Sequence, residues 1–152
     1  MFPPRYIQYI NLPAIPQDLI SEILRDTNQH LSHNNVVRHG QDAPVYIWSD
    51  LGNEAINNWC QKNISAEMYF AFAMMPTDVY IHKDKSLQIK LNYLIDPGGN
   101  QVLTNFYDDD HNLLASYCVE PGRWWIINAN VFHSVTGLES GRTRFSVTGK
   151  IF

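Results

Sequence analysis

The chain has 152 residues, 45% of them apolar and 17% charged, which is enough for one domain with a buried core and excludes a disordered chain. Its net charge of −4, with no run of Lys or Arg, argues against a protein that holds nucleic acid by neutralising phosphates. No apolar run approaches the roughly 20 residues that cross a bilayer as a helix, and the opening Met1-Phe2-Pro3-Pro4-Arg5 lacks a secretory core, so a soluble, cytoplasmic protein is expected. Cys60 and Cys118 make no CxxC and no disulfide framework. Both have apolar neighbours and read as buried thiols.

In chain order, Tyr6 to Ile10 reads as a strand. Pro16 stands where a first helical residue belongs, with acidic Asp18 behind it. Ile15, Leu19, Ile20, Ile23 and Leu24 follow at helical spacing. Asn28 to Asp42 reads as a polar loop, in which His30, His33 and His39 cluster as surface residues. A second helix starts near Ser49-Asp50, with Leu51, Ala55, Ile56, Trp59 and Cys60 as its apolar stripe.

From Ala66 onward the pattern changes to short strands separated by turns. Strands are expected over Met68 to Met75, Val79 to Asp84, Leu87 to Ile95, Gln101 to Tyr107 and Leu113 to Val119. Trp124 to Ile127, Val131 to Thr136 and Arg144 to Phe152 complete the set, with the first two expected to be neighbours. The turns are Asp96-Pro97-Gly98-Gly99-Asn100, Asp108-Asp109-Asp110 and Glu120-Pro121-Gly122. Regular alternation of short strands and turns predicts a mainly β jelly roll, with the two N-terminal helices packed outside one sheet. Residues 1–152 then form a single domain, with 1–65 as helical support and 66–152 as the β core.

The segment Tyr80-Ile81-His82-Lys83-Asp84 carries the chemistry. In a strand, His82 and Asp84 point to the same face, about 7 Å apart along the chain. One imidazole, one carboxylate and a second imidazole from elsewhere make the 2-His-1-carboxylate set of non-haem Fe(II) oxygenases. His133, in Val131-Phe132-His133-Ser134-Val135, supplies the second imidazole. An HxD alone is also the pattern of a solvated strand end, so the later residues decide the reading. Tyr80 shares the parity of His82 and is a candidate to line the same pocket.

Beyond His133 stands Gly141-Arg142-Thr143-Arg144-Phe145-Ser146. A guanidinium at strand position i and a hydroxyl at i+2 face one side and suit a buried carboxylate. Arg144 with Ser146 meets that pattern. Arg142 has the same parity but sits at the turn and is the second choice.

The set His82-Lys83-Asp84, His133 and Arg144-Phe145-Ser146 resembles the HxD…H…RxS pattern of Fe(II)/2-oxoglutarate-dependent oxygenases. Leu91-Asn92-Tyr93, Asn105-Phe106-Tyr107 and His133-Ser134-Val135 are similar to small bacterial and phage members related to prolyl and aspartyl/asparaginyl hydroxylases. The resemblance covers roughly residues 66–152. It implies a double-stranded β-helix (jelly roll, cupin-like), and Fe(II), 2-oxoglutarate and O2 as reactants, with ascorbate as a supporting reductant. It implies His82, Asp84 and His133 as iron ligands and Arg144 with Ser146 as the clamp for 2-oxoglutarate. Asn92 or Tyr93, on a strand expected beside the HxD strand, would reach the oxo acid, with Asn92 preferred. The expected activity is hydroxylation of a peptidyl or free amino-acid side chain or another small molecule, with succinate and CO2 as co-products. A cupin-like metal enzyme that uses no 2-oxoglutarate and a non-catalytic jelly-roll binding module are the competing readings.

Overall fold

The computed structural model describes residues 3–31, 36–39, 46–84 and 89–151. The N-terminal part holds β1 (Ile7–Ile10), α1 (Gln17–Leu31), β2 (Val36–His39), β3 (Tyr46–Ser49) and α2 (Asp50–Asn63). Eight strands follow. They are β4 (Met68–Met75), β5 (Val79–His82), β6 (Ile89–Asp96), β7 (Leu103–Tyr107), β8 (Leu113–Tyr117), β9 (Trp124–Asn128), β10 (Phe132–Thr136) and β11 (Arg144–Ile151).

The strands form two antiparallel sheets, one ordered β1-β9-β6-β11-β4-β3-β2 and the other β5-β10-β7-β8. From β4 to β11 the chain passes repeatedly between them, so residues far apart in sequence meet across the sandwich. This is a jelly roll.

The centre of the large sheet is buried on both faces, and that explains its sequence. Strand β4 reads Met-Tyr-Phe-Ala-Phe-Ala-Met-Met with five consecutive buried residues, a run rather than an alternation, because neither face meets water. One face holds Phe70, Phe72 and Met74 of β4, Leu91 and Tyr93 of β6, and Trp124 and Ile126 of β9. These share a cluster with Ile20 and Ile23 of α1 and Ile56 and Cys60 of α2. The four-residue spacing of Ile56 and Cys60 puts both on one helical face, and burial raises the Cys60 thiol to about 12. The intervening residues of the large sheet turn to the other face, toward the small sheet. Asn92, Trp125, Arg144 and Ser146 line a cavity there, together with His82, Thr104 and His133 of the small sheet.

The cluster tolerates no added volume at Gly149 of β11. A Cβ there would stand 2.7 Å from Phe70 Cε1 and 2.9 Å from Met68 Cε. Gly149→Val is expected to destabilise the fold by about 1–3 kcal/mol, read as a lower denaturation midpoint in urea.

Several expectations are corrected. The stretch from Asn28 to Asp42 is not one polar loop: α1 runs to Leu31 and β2 occupies Val36–His39. Among the described residues, strand β2 is joined to the sheet through β3, itself joined to β4, a non-local pairing that local pattern does not reveal. The side chains of His30, His33 and His39 lie outside the described residues. Ala55 is exposed rather than part of the α2 stripe. Cys118 is exposed, because it follows β8 at the open edge of the small sheet. Strands β9 and β10 are not neighbours: β9 pairs with β1 and β6, and β10 with β5 and β7. Nor does β6, which carries Asn92, lie beside the HxD strand; it belongs to the opposite sheet. Among the described residues no helix is long and apolar enough to cross a membrane.

Candidate metal centre

His82 ends β5 and His133 lies directly opposite it on β10. The pairing places the two imidazole rings 4.3 Å apart, centroid to centroid. The register then shifts: Val135 faces Val79, so three steps on β5 match two on β10. This bulge breaks the simple alternation. Val79 and His82 both face the cavity, while Tyr80 is 60% exposed. Tyr80 meets His82 only edge-on, at 6.0 Å between ring centroids, so the expectation that it lines the pocket is corrected.

Asp84 lies just past the end of β5 rather than within it. Its backbone N–H donates to the Ala129 carbonyl at 3.0 Å, which ties the chain beyond β5 to the turn before β10. The carboxylate thereby returns to the imidazoles. Asp84 Oδ1 is 3.7 Å from His82 Nε2, and the ligand atoms of His82, Asp84 and His133 all lie within 4.8 Å of one another.

The donor set suits one divalent ion. His82 Nδ1 is 2.8 Å from the Tyr80 carbonyl and His133 Nδ1 is 2.7 Å from the Val131 carbonyl. A carbonyl only accepts, so each Nδ1 donates, and in a neutral ring the lone pair is left on Nε2. Burial, with His82 adjacent, lowers the His133 imidazole to about 4, which keeps it in the neutral form that binds metal. Burial alone would raise the Asp84 carboxyl. The Lys90 ammonium, 2.8 Å from Oδ2, outweighs it and holds the group below its ordinary value. Lys90 and His82 thus lie at different oxygens of one carboxylate. Three protein donors, rather than the four of a closed structural site, leave coordination positions open.

Arg144 starts β11 and is 3% exposed. It lines the same cavity as the two imidazoles, and Ser146, two residues on, does too. The turn after β6 packs against it: Arg144 reaches toward the Pro97 carbonyl at 3.5 Å. A Cβ on Gly98, at φ +83°, would stand 3.1 Å from the Arg144 backbone nitrogen, so only glycine allows this approach. Arg142 is elsewhere. It is paired with Asp96 at 3.0 Å and Glu139 at 3.4 Å on a partly exposed surface.

Asn92 faces the cavity, and its carbonyl oxygen accepts from the Thr148 hydroxyl at 3.1 Å. Tyr93 points the other way, into the cluster under the helices, 5.0 Å from the Trp124 ring. The Asp108 carboxylate caps its own turn, accepting from the backbone of Asp110 and Asn112 at 2.9 and 2.8 Å. That turn flanks the His82–Asp84 segment, since Lys83 reaches Asp109 at 3.3 Å.

Reading by strand did not single out Lys90, Thr104 or Trp125, all of which line the cavity. A signal was present for Lys90. It stands two residues before Asn92, so it shares the inward face, where an ammonium requires a carboxylate partner.

No protein-family model and no curated protein matches the chain. Solved structures do match it. A prolyl-4-hydroxylase from Pseudomonas putida is 17% identical, with a TM-score of 0.63, over 97% of this chain and 93% of that one. The non-heme alpha ketoglutarate dependent carbocyclase SnoK from nogalamycin biosynthesis is 9% identical, with a TM-score of 0.61, over 95% of this chain and 79% of that one. A prolyl hydroxylase from Trichoplax adhaerens, in complex with a hypoxia inducible factor peptide fragment, is 14% identical, with a TM-score of 0.59, over 96% and 83%. The chain has the fold that these hydroxylases and the alpha ketoglutarate dependent carbocyclase share.

Proposed function

We propose that this protein is an Fe(II)- and 2-oxoglutarate-dependent dioxygenase that hydroxylates a peptidyl or free amino-acid side chain or another small molecule. One observation supports the reading above the others: His82, Asp84 and His133 converge within 4.8 Å, and both imidazoles share one cavity with the buried Arg144. A cupin-like enzyme without an oxo acid has no need of a guanidinium there. The fold of the solved relatives supports the same assignment.

In this reading His82, Asp84 and His133 hold the iron through two imidazole Nε2 atoms and one carboxylate oxygen. When bound, the metal supplies the redox chemistry with O2 that couples decarboxylation of 2-oxoglutarate, to succinate and CO2, with oxidation of a substrate C–H bond. The chain's own residues position the reactants. Lys90 holds Asp84 so that Oδ1 faces His82. Arg144 and Ser146 take the distal carboxylate, a buried charge that would cost several kcal/mol without such a partner. Asn92 reaches the oxo acid from the large sheet. Val79, Val135 and Ile127 supply apolar wall between these polar groups and limit water. Selection of the prime substrate falls to surface loops at the metal end, the Asp108 to Asn112 turn among them.

The test is turnover. Incubated in air with Fe(II), ascorbate and 2-oxoglutarate, the protein is expected to release succinate slowly, and faster with a true substrate drawn from a panel of peptides and amino acids. Asp84→Ala is expected to abolish release. Protein that holds iron in this site and makes no succinate with any member of the panel would return the assignment to a metal enzyme that does not use 2-oxoglutarate.

A further inference from the structure

Two polar atoms on the cavity wall are buried without a hydrogen-bond partner among the described residues: the Thr104 hydroxyl and the Trp125 indole nitrogen. Thr104 is 2% exposed and Trp125 is 5% exposed. Both residues line the cavity shared by His133 and Arg144. Leaving a buried donor unpaired is costly, and the great majority are satisfied in folded proteins. Two such groups on one cavity mark a place where a ligand supplies the partner. The adjacent tryptophan shows the contrast. Trp124, on the opposite face of β9, donates its indole N–H to the Pro13 carbonyl at 2.8 Å.

The chemistry of the wall restricts that ligand. An indole N–H and a guanidinium only donate, and a hydroxyl can donate. The Asn92 carbonyl oxygen already accepts from Thr148, so the amide has its N–H groups to offer. A wall built of donors calls for a ligand rich in acceptors, and a dicarboxylate with a 2-oxo group is one.

Register separates the two positions. Thr104 faces Val135, two residues along β10 from His133. Val135 and Val79 cluster with Met75, which stands opposite Arg144, so Thr104 lies on the Arg144 side of the metal ligands. Trp125 faces Asn92 across the β9–β6 pair. Asn92 lies two residues from Lys90, the partner of Asp84, so Trp125 lies nearer the metal end.

We propose that Thr104 and Trp125 are two further donors to the bound 2-oxo acid. Thr104 serves the distal carboxylate beside Arg144 and Ser146, and Trp125 serves an oxygen nearer the metal beside Asn92. This assignment rests on the 2-oxoglutarate reading above. It makes Thr104 a residue that selects dicarboxylic over monocarboxylic oxo acids.

The test uses the full chain loaded with Mn(II), so that binding is read without turnover. Wild type, Thr104→Val and Trp125→Phe are titrated calorimetrically with 2-oxoglutarate and with 2-oxobutyrate, which lacks the distal carboxylate. Thr104→Val is expected to lose about tenfold or more in affinity for 2-oxoglutarate while 2-oxobutyrate binding holds within about twofold. Trp125→Phe is expected to weaken both acids. The ligand-free melting temperature of Thr104→Val is expected to stay level or rise, because an unpaired buried hydroxyl has been removed. A purely structural hydroxyl would lower it, and that result would overturn the role of Thr104. Unchanged 2-oxoglutarate affinity in both variants overturns the proposal while leaving the dioxygenase reading intact. Absence of 2-oxoglutarate binding by the wild type overturns both. Should Trp125→Phe fold poorly, the contrast between the two acids in Thr104→Val decides alone.

Discussion

Arg144→Ala is expected to lower the affinity for 2-oxoglutarate by about 2–5 kcal/mol, from roughly 30-fold to more than about 1000-fold. The large effect follows from burial. Arg144 is 3% exposed, so the carboxylate it accepts has left water, and removing the guanidinium strands a charge inside the sandwich. Arg144→Lys is expected to fall in between, since it keeps the charge and loses the planar fork. Arg142→Ala is the control. Its guanidinium is tied to Asp96 and Glu139 in a partly exposed pair, an arrangement worth about 0–1 kcal/mol, so its 2-oxoglutarate affinity is expected to stay close to wild type. Calorimetric titration of metal-loaded protein checks the order. The reverse order would move the clamp to Arg142.

His133→Ala is expected to abolish tight binding of one Fe(II) per chain. Loss of a residue that merely orients a ligand commonly costs about 10–100-fold in metal affinity, and loss of a ligand itself is expected to cost more. The loss is not made up by a neighbour. Among the described residues, His82, Asp84 and His133 form the one group whose ligand atoms converge in this way. Metal titration followed by elemental analysis of desalted protein checks this, and affinity unchanged from wild type would remove His133 from the site.

The parts of this site that were legible in the sequence are those that depend on one strand at a time. Arg144 and Ser146 share a face because they are two apart on β11, and both line the cavity. That only one of Asn92 and Tyr93 turns inward follows from the same alternation; which one does is set by the sandwich, with Asn92 inward and Tyr93 under the helices. Strict parity failed where the backbone departs from it. A bulge on β5 exposes Tyr80, and the chain leaves the strand before Asp84, whose place is fixed instead by a hydrogen bond to Ala129. What joins separate strands was not legible. The pair formed by Lys90 and Asp84, the sharing of one cavity by Thr104 and Trp125 from opposite sheets, and the addition of β2 and β3 to the large sheet all arise from the sandwich as a whole. Apolar content also misled at the edge. Leu113 and Leu114 of β8 are 61% and 49% exposed, and Cys118 beyond them is exposed too.

The central claim is that one cavity holds a metal at His82, Asp84 and His133 and an oxo acid that reaches from that metal to Arg144. Anaerobic titration of the Fe(II)-loaded protein with 2-oxoglutarate, followed by visible absorption, tests it most directly. Chelation of Fe(II) by the 2-oxo acid is expected to produce a metal-to-ligand charge-transfer band that saturates at one equivalent per chain, is absent without iron, and requires Arg144 at low 2-oxoglutarate concentration. Fe(II) bound at one per chain with no such band at any 2-oxoglutarate concentration, or 2-oxoglutarate binding that is equal with and without metal, would contradict it.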